Sequence, residues 1–260
     1  MIRKPAGVAA RGAIRPPGQT MRRPITTPPA FDAAASPSPP PRYLTRHYWW
    51  AYVHPRAVRI FERQWLVNLI LWGNFRKLRD AALDALGQTL PGRSLQVACV
   101  YGDLSRHLLE RARRASGRLD VVDVLPVQLA NLARKLPDRQ GLTLHHADAA
   151  ALPMADGAFD RALLFFLLHE QPPEVRRQTL REAWRVVRPG GRLVLLDYAR
   201  PAWWNPLRYL WLPVLERLEP FAADLWTHDI TALLPAEWAG ARLERRRYFG
   251  GLYQLLTVER

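Results

Sequence analysis

Between Ser94 and Tyr198 the chain alternates short apolar runs with longer stretches of helical period, and this alternation limits the possible folds more than any other feature. Ser94–Cys99, Leu119–Val124 and Leu142–His145 read as strands, Phe159–Leu168 contains a fourth, and Arg192–Tyr198 reads as a fifth. Asp103–Ala115, Pro126–Leu136 and Glu174–Val187 read as the helices between them, the second with proline in its first turn. Strands joined through helices run parallel, which predicts an α/β fold: a Rossmann-like, mostly parallel, doubly wound sheet with ligands at the strand C-terminal ends. Ala241–Val258 reads as a closing strand pair joined near Gly250-Gly251.

Three segments decorate this frame. Residues 1–42 are rich in Pro, Ala and Arg without apolar period and are expected to be a disordered basic tail. Their Arg-rich, acid-poor composition also fits a transit peptide, or an extended start if Met21 is the initiator. Residues 43–91 are expected to form an N-terminal helical cap: an aromatic run through His47-Tyr48-Trp49-Trp50, then apolar residues at helical spacing from Val58 to Leu86. Residues 92–260 carry the sheet, interrupted at 200–228 by an insertion rich in Trp and Leu, including Trp203, Trp204, Trp211 and Trp226.

Charge narrows the partners. The net charge is +15, of which the tail supplies +6 from seven Lys/Arg against Asp32, leaving +9 on the body. Such a balance suits an anionic lipid surface, nucleic acid or an anionic cofactor. No basic cluster is interleaved with base-stacking aromatics, so lipid ranks above nucleic acid, and no nucleic-acid partner is expected. The one cysteine, Cys99, excludes an internal disulfide and fits a reducing compartment. No apolar run reaches the roughly 18 residues of a membrane span. A soluble or peripheral chain is expected.

The first strand leads into Leu95-Gln96-Val97-Ala98-Cys99-Val100-Tyr101-Gly102-Asp103, where a nucleotide-binding enzyme of this fold carries an acid and several glycines. Gln96 stands at the acid's position, and of the glycines only Gly102 remains. Asp123 ends the second strand, where an acid accepts both ribose hydroxyls of a nucleoside or caps the following helix. His146-Ala147-Asp148-Ala149-Ala150-Ala151-Leu152-Pro153 resembles a signature of class I S-adenosylmethionine methyltransferases, in which an acid matching Asp148 meets the adenine amino group. Arg188-Pro189-Gly190-Gly191-Arg192-Leu193 matches the turn before strand five in the same superfamily. Asp103-Leu104, the Ala-Leu-Pro run and the Arg-Pro-Gly-Gly turn look like quinone-ring C-methyltransferases.

Tyr48-Trp49-Trp50-Ala51-Tyr52-Val53-His54-Pro55, Ala98-Cys99-Val100-Tyr101-Gly102-Asp103 and Leu167-Leu168-His169-Glu170-Gln171 narrow the likeness further. Together they resemble the rhodoquinone-biosynthesis (RquA) family over residues 43 to 228. That resemblance implies an enzyme that transfers the amino group of S-adenosylmethionine to ubiquinone, replacing a ring methoxy group, with Mn²⁺ required. It also implies a cytoplasmic bacterial protein held peripherally at the inner membrane, or a mitochondrial one if the tail is a transit peptide.

The residues accommodate this chemistry. An ammonium has no lone pair; a neutral Gln96 in place of a carboxylate removes a partner that typically favours the charged form by roughly 1–3 pKa units. Cys99, Val100 and Tyr101 fill space that glycines leave open, which would re-aim the cofactor's methionine end. Gln96, Ala98, Gly102, Asp123, Asp148 and Ala149 are the expected cofactor-binding residues. Tyr101, His169 and Glu170 are the expected catalytic ones, since a base must take protons from the reacting amine. Cys99 reads as a small filler rather than a nucleophile. Carboxylates and imidazole suit Mn²⁺; Asp123, Asp148 and His169 are the expected metal ligands, with Glu170 and Asp197 as further candidates, and the alternative for Asp123 and Asp148 is to serve ribose and adenine. The aromatic stretches are expected to form a quinone tunnel and membrane face, or simply to pack as cap helices. Two other readings stay open: a conventional quinone C- or O-methyltransferase, and a non-catalytic quinone- or cofactor-binding protein.

Overall fold

A computed structural model of the protein describes residues 1, 40–47 and 55–260. The aromatic run over 48–54 and nearly all of the basic tail lie outside the described residues. Among the described residues seven strands form one sheet: β1 (Arg93–Val97), β2 (Arg118–Asp123), β3 (Leu142–His146), β4 (Phe159–Phe165), β5 (Val187–Tyr198), β6 (Arg242–Tyr248) and β7 (Tyr253–Glu259). Their order is β3-β2-β1-β4-β5-β7-β6. The first five are parallel, and the β6–β7 pair closes the sheet antiparallel against β5. The strand order reverses between β1 and β4, and in open α/β sheets that reversal opens a ligand crevice at the strand C-terminal ends.

Helices cover both faces: α1 (Arg42–His47), α2 (Pro55–Phe61), α3 (Gln64–Ile70), α4 (Phe75–Leu86), α5 (Leu104–Arg113), α6 (Pro126–Lys135), α7 (Pro173–Val186), α8 (Leu207–Leu210), α9 (Leu212–Leu218) and α10 (Pro220–Thr227). Side chains alternate across the strands. Val121, Leu163, Phe165, Val194 and Leu196 pack with α4, α5 and α6, while Leu95, Val97, Ala162, Leu164 and Leu195 pack with α7 on the other face. Near-continuous apolar strands are the sequence expression of this two-sided burial.

Two local readings change. The helical period over Arg56–Leu86 is cut into three helices, because the backbone turns at Glu62–Arg63 and again at Trp72 and Gly73, with φ of 53° and 76°. The Arg-Pro-Gly-Gly segment is not a separate turn before β5. It runs inside β5, whose register against β4 shifts between Phe159 and Arg161. Glycine is required there because a Cβ on Gly191 would lie 2.7 Å from the Asp160 carbonyl oxygen.

Candidate functional site

The chain leaves β1 through Ala98, held at φ 71°, a left-handed conformation that costs a residue with a Cβ roughly 1–2 kcal/mol. Gln96 is fully buried beneath this bend. Its Nε2 donates to the Ala98 carbonyl at 2.9 Å, and its Oε1 is buried without a hydrogen-bond partner among the described residues. Gly102, at φ 86°, donates its N–H to Glu62 Oε1 at 3.0 Å, and a Cβ there would strike the Phe75 ring at 2.8 Å. Glu62 also accepts from Asn131 Nδ2 at 2.6 Å and pairs with Lys135 Nζ at 2.6 Å. A carboxylate from the segment after α2 thus ties the β1 loop to α6.

Two cavities lie over the crevice. The first encloses about 620 Å³ including its mouth. Ala98, Asp123, Asp148 and Ala149 line it, with Tyr43 and Leu44 from α1 and the apolar side chains of Val122, Leu125 and Leu167. Asp123 Oδ2 accepts the Cys99 N–H at 2.7 Å and Oδ1 accepts the Leu125 N–H at 2.8 Å, which fixes the carboxylate at the end of β2. Burial pushes its pKa up to about 6 against the lowering effect of those two backbone donors. Asp148 Oδ1 accepts the Ala150 N–H at 2.9 Å in the turn after β3. Burial and the nearby Asp148 and Glu170 carboxylates hold the Tyr43 phenol well above its ordinary value.

The second cavity encloses about 1310 Å³ including its mouth and is mainly apolar. Leu66, Val67, Ile70 and Leu71 of the α3 region, Phe75, Phe165, Tyr198 and Trp211 form its walls. Tyr101, His169, Glu170 and Glu219 supply its polar atoms. Cys99, Gln128, Phe166 and Glu170 line both cavities and form the partition between them. Phe166 adopts φ 53°, an outlier for a bulky side chain, and packs edge-on against His169 and Tyr198. Tyr101 stacks on Phe61, and its hydroxyl accepts from Gln128 Nε2 at 2.9 Å. Burial raises the Tyr101 pKa, so the hydroxyl stays protonated.

His169 is carried by a short 3-10 turn, Leu168–Glu170, after β4. Its Nδ1 lies 3.0 Å from Asp197 Oδ1, and Asp197 Oδ2 accepts the Leu168 N–H at 2.8 Å. The Nε2 faces Glu219 Oε2 at 3.6 Å and Glu170 Oε1 at 3.7 Å. Burial alone would push the imidazole pKa down. Asp197 outweighs it, with Glu219 and Glu170 adding to the effect, and the pKa rises to about 9. Burial raises the Glu219 carboxyl, opposed by His169. Arg176 of α7, fully buried, fastens the turn: it donates to the Leu168 carbonyl at 2.8 Å, the Gln171 carbonyl at 3.0 Å, the Phe221 carbonyl at 3.1 Å and Asp224 Oδ2 at 2.7 Å.

The expected site residues therefore divide. Ala98, Asp123, Asp148 and Ala149 meet in the polar cleft; Tyr101, His169 and Glu170 meet in the apolar cavity; Gln96 and Gly102 line neither, and act on the loop from behind it. A nucleoside cofactor fits the first group, which offers two carboxylates to hydroxyl and amino donors between apolar walls. Mn²⁺ does not fit the expected set. Among the described residues no group of three or more His, Cys, Asp or Glu is placed to hold a metal ion. Asp123 is occupied by two backbone N–H groups in one cavity, and His169 is held by Asp197 in the other. Tyr43, Glu62, Gln128, Phe166, Arg176 and Glu219 belong to the candidate site or hold it in place, and spacing along the chain does not reveal them. Only Glu219 had a signal, as an acid within a Trp- and Leu-rich insertion.

Comparison with known proteins agrees with this geometry. Residues 95–191 match the family model described as a methyltransferase domain. Demethylmenaquinone methyltransferase of Thermus thermophilus is 37% identical over 140 residues, covering 52% of this chain and 60% of that protein. Ubiquinone/menaquinone biosynthesis C-methyltransferase UbiE of Syntrophotalea carbinolica is 33% identical over 157 residues, covering 59% of this chain and 63% of that protein. The chain thus spans about three fifths of the length of these curated relatives. Among solved structures, phosphoethanolamine N-methyltransferase 2 of Haemonchus contortus, in complex with S-adenosyl-L-methionine, superposes with a TM-score of 0.61 at 12% identity, over 84% of this chain and 59% of that one. A methyltransferase from Aquifex aeolicus described as SAM-dependent gives a TM-score of 0.53 at 15% identity, over 79% and 97%. Residues 95–191 are thus similar to a methyltransferase domain, and the chain shares the Rossmann-like fold of these solved structures.

Proposed function

We propose that the protein is an S-adenosylmethionine-dependent transferase acting on the ring of a polyprenylated quinone, with ubiquinone as the substrate. One observation carries the reading: a polar cleft ending in Asp123 and Asp148 shares a thin wall with a larger apolar cavity holding Tyr101 and His169. Asp123 and Asp148 would hold the nucleoside, and S-adenosylmethionine supplies the transferred group when bound. The apolar walls from α3 and Trp211 suit a prenylated ring, and the relatives named for quinone-ring methylation support that substrate class.

On the transferred group, two readings each have an observation behind them. The relatives' names favour methyl transfer to ring carbon. The β1 loop favours amino transfer from the cofactor: the amine nitrogen would bond to the ring carbon as the methoxy group leaves as methanol, and its bond to the cofactor α-carbon would then break as a β-proton is eliminated, leaving an unsaturated acid. Gln96 is neutral and turned back onto Ala98, and Cys99, Val100 and Tyr101 stand where glycines would leave space. Both require a base at the substrate: amino transfer must take protons from the amine that attacks ubiquinone, whereas methyl transfer needs a demethylated quinol with a free ring carbon, because the ubiquinone ring carries no hydrogen, and must take that carbon's proton. His169, positioned by Asp197 and facing Glu219, is that base, and Tyr101 donates to a quinone oxygen.

The two readings separate in one assay. The purified protein is incubated with a ubiquinone, and separately with a demethylated quinol bearing a free ring carbon, each with S-adenosylmethionine labelled with ¹⁵N on its amine and ¹³C on its methyl. Nitrogen label in the quinone with loss of its methoxy group establishes amino transfer. Carbon label with S-adenosylhomocysteine establishes methyl transfer, and no label despite measured cofactor binding overturns the enzymatic proposal. A parallel incubation with added Mn²⁺ tests the metal requirement implied by the family resemblance.

A further inference from the structure

The wall of the apolar cavity has an outer side. On α3, Leu66, Val67 and Ile70 line the cavity, while Trp65 and Leu69 point away from it and are 61% and 64% exposed. The segment before and through α8 repeats the pattern: Trp203 and Leu210 are 75% and 69% exposed, with Trp204 and Tyr209 also exposed, and the next residue, Trp211, lines the cavity. The two segments touch, since the exposed Trp72 ring packs edge-on against Trp211 at 5.1 Å. Single exposed apolar residues are ordinary, but a set of this size gathered at one cavity wall marks an interaction surface.

Charge identifies the occupant. Arg59, Arg63, Arg76 and Lys77 are exposed on and beside α2, α3 and the start of α4, and Glu62 is the one acid from residue 42 to residue 79. Glu62 is itself turned inward to Lys135 and Asn131. Tryptophan and tyrosine favour the boundary between lipid headgroups and acyl chains, and a flanking cationic rim is attracted to anionic lipid. Among the described residues no helix is long and apolar enough to cross a membrane.

We propose that the outer face of α3 together with residues 203–210 docks on an anionic lipid bilayer, and that a prenylated substrate passes between bilayer and cavity through this wall. The second half of the proposal rests on the quinone reading; the first does not. Leu66, Ile70 and Trp211 are partly exposed while lining the cavity, so they are the residues a lipid-borne tail would slide past.

The test measures binding without any quinone. The full-length protein is sedimented with phosphatidylcholine vesicles and with vesicles containing phosphatidylglycerol, and a quadruple variant Trp65→Ser, Leu69→Ser, Trp203→Ser, Leu210→Ser is run beside it. The wild-type chain is expected to bind the anionic vesicles more tightly, and the variant to bind them about tenfold or more weakly. Bilayer-placed brominated lipid is expected to quench wild-type tryptophan fluorescence. Failure of the wild type to bind either vesicle, or equal binding by the variant, overturns the docking proposal. So does a concentration-dependent dimer that the same four substitutions dissolve, because that assigns the face to a second copy. Turnover of a short-chain, water-soluble ubiquinone is measured in parallel. A variant that loses vesicle binding but keeps this turnover supports docking as a separate function, while absence of turnover in both proteins overturns the quinone reading and the passage drawn from it, without touching the vesicle result.

Discussion

At the scale of single residues, Asp123 and His169 show how one side chain takes its properties from its partners. Asp123 is held by the N–H groups of Cys99 and Leu125, so its carboxylate shapes the loop as well as facing the cleft. Asp123→Ala leaves two backbone donors without acceptors and is expected to cost about 1–3 kcal/mol of stability. The same change is expected to weaken S-adenosylmethionine binding by about tenfold or more, the equivalent of one charge-assisted hydrogen bond, read by titration calorimetry. For His169, Asp197 and the two glutamates raise the folded pKa to about 9, above the ordinary 6.5. The imidazole is therefore protonated at neutral pH, and as a base it requires turnover to rise with pH up to about 9. Asp197→Asn removes the main raising charge, so the rising limb of the pH–rate profile is expected to move to lower pH. The sign for stability is opposite: the His169 contribution is full below pH 6.5 and is lost as pH rises through about 9. Thermal midpoints measured over that interval are expected to fall for the wild type and to lose that component in His169→Gln. Asp123 and Asp148 are legible from sequence because Asp123 ends a strand and Asp148 lies two residues beyond one. The direction of Gln96, folded back on Ala98, was not, because rotamer choice in a packed core depends on neighbours far away in the chain.

At the scale of elements, the site depends on how α7 grips the turn that follows β4. Arg176 emerges from α7, satisfies carbonyls of that turn and of the segment entering α10, and meets Asp224. It positions His169 without facing the cavity. Arg176→Met is expected to cost about 3–5 kcal/mol, because Asp224 and three carbonyls lose their donor at once. Each kcal/mol corresponds to about 2–4 °C in a domain of this size, so the loss is visible in a thermal melt. Turnover is expected to fall beyond what reduced folding explains, and Arg176→Lys restores little, since an ammonium lacks the planar fork that spans these acceptors. Strand and helix identities in this region follow from hydrophobic period. The breaks at Trp72–Gly73 and the continuation of β5 through Gly190-Gly191 do not, since both answer to contacts made across the sheet and the cap.

For the whole molecule, cofactor binding and folding are linked. S-adenosylmethionine at about 100 times its Kd is expected to add about 2.7 kcal/mol to stability, and Asp148→Ala to lose part of that gain at the same concentration, as measured by differential scanning calorimetry. The sequence alone determined the α/β frame and the strand-end acids, because periods of two and of 3.6 residues, and the residue following a strand, are local properties of the chain. It also carried the family resemblance through short contiguous motifs. Tertiary structure decided what those motifs meet. Tyr43, Gln128 and Glu219 reach the two cavities from three separate segments, Glu62 ties the β1 loop to α6, and the expected metal ligands are dealt to different cavities. Their convergence depends on how the helices and the 200–228 insertion pack over the reversal between β1 and β4, and no local spacing encodes that packing.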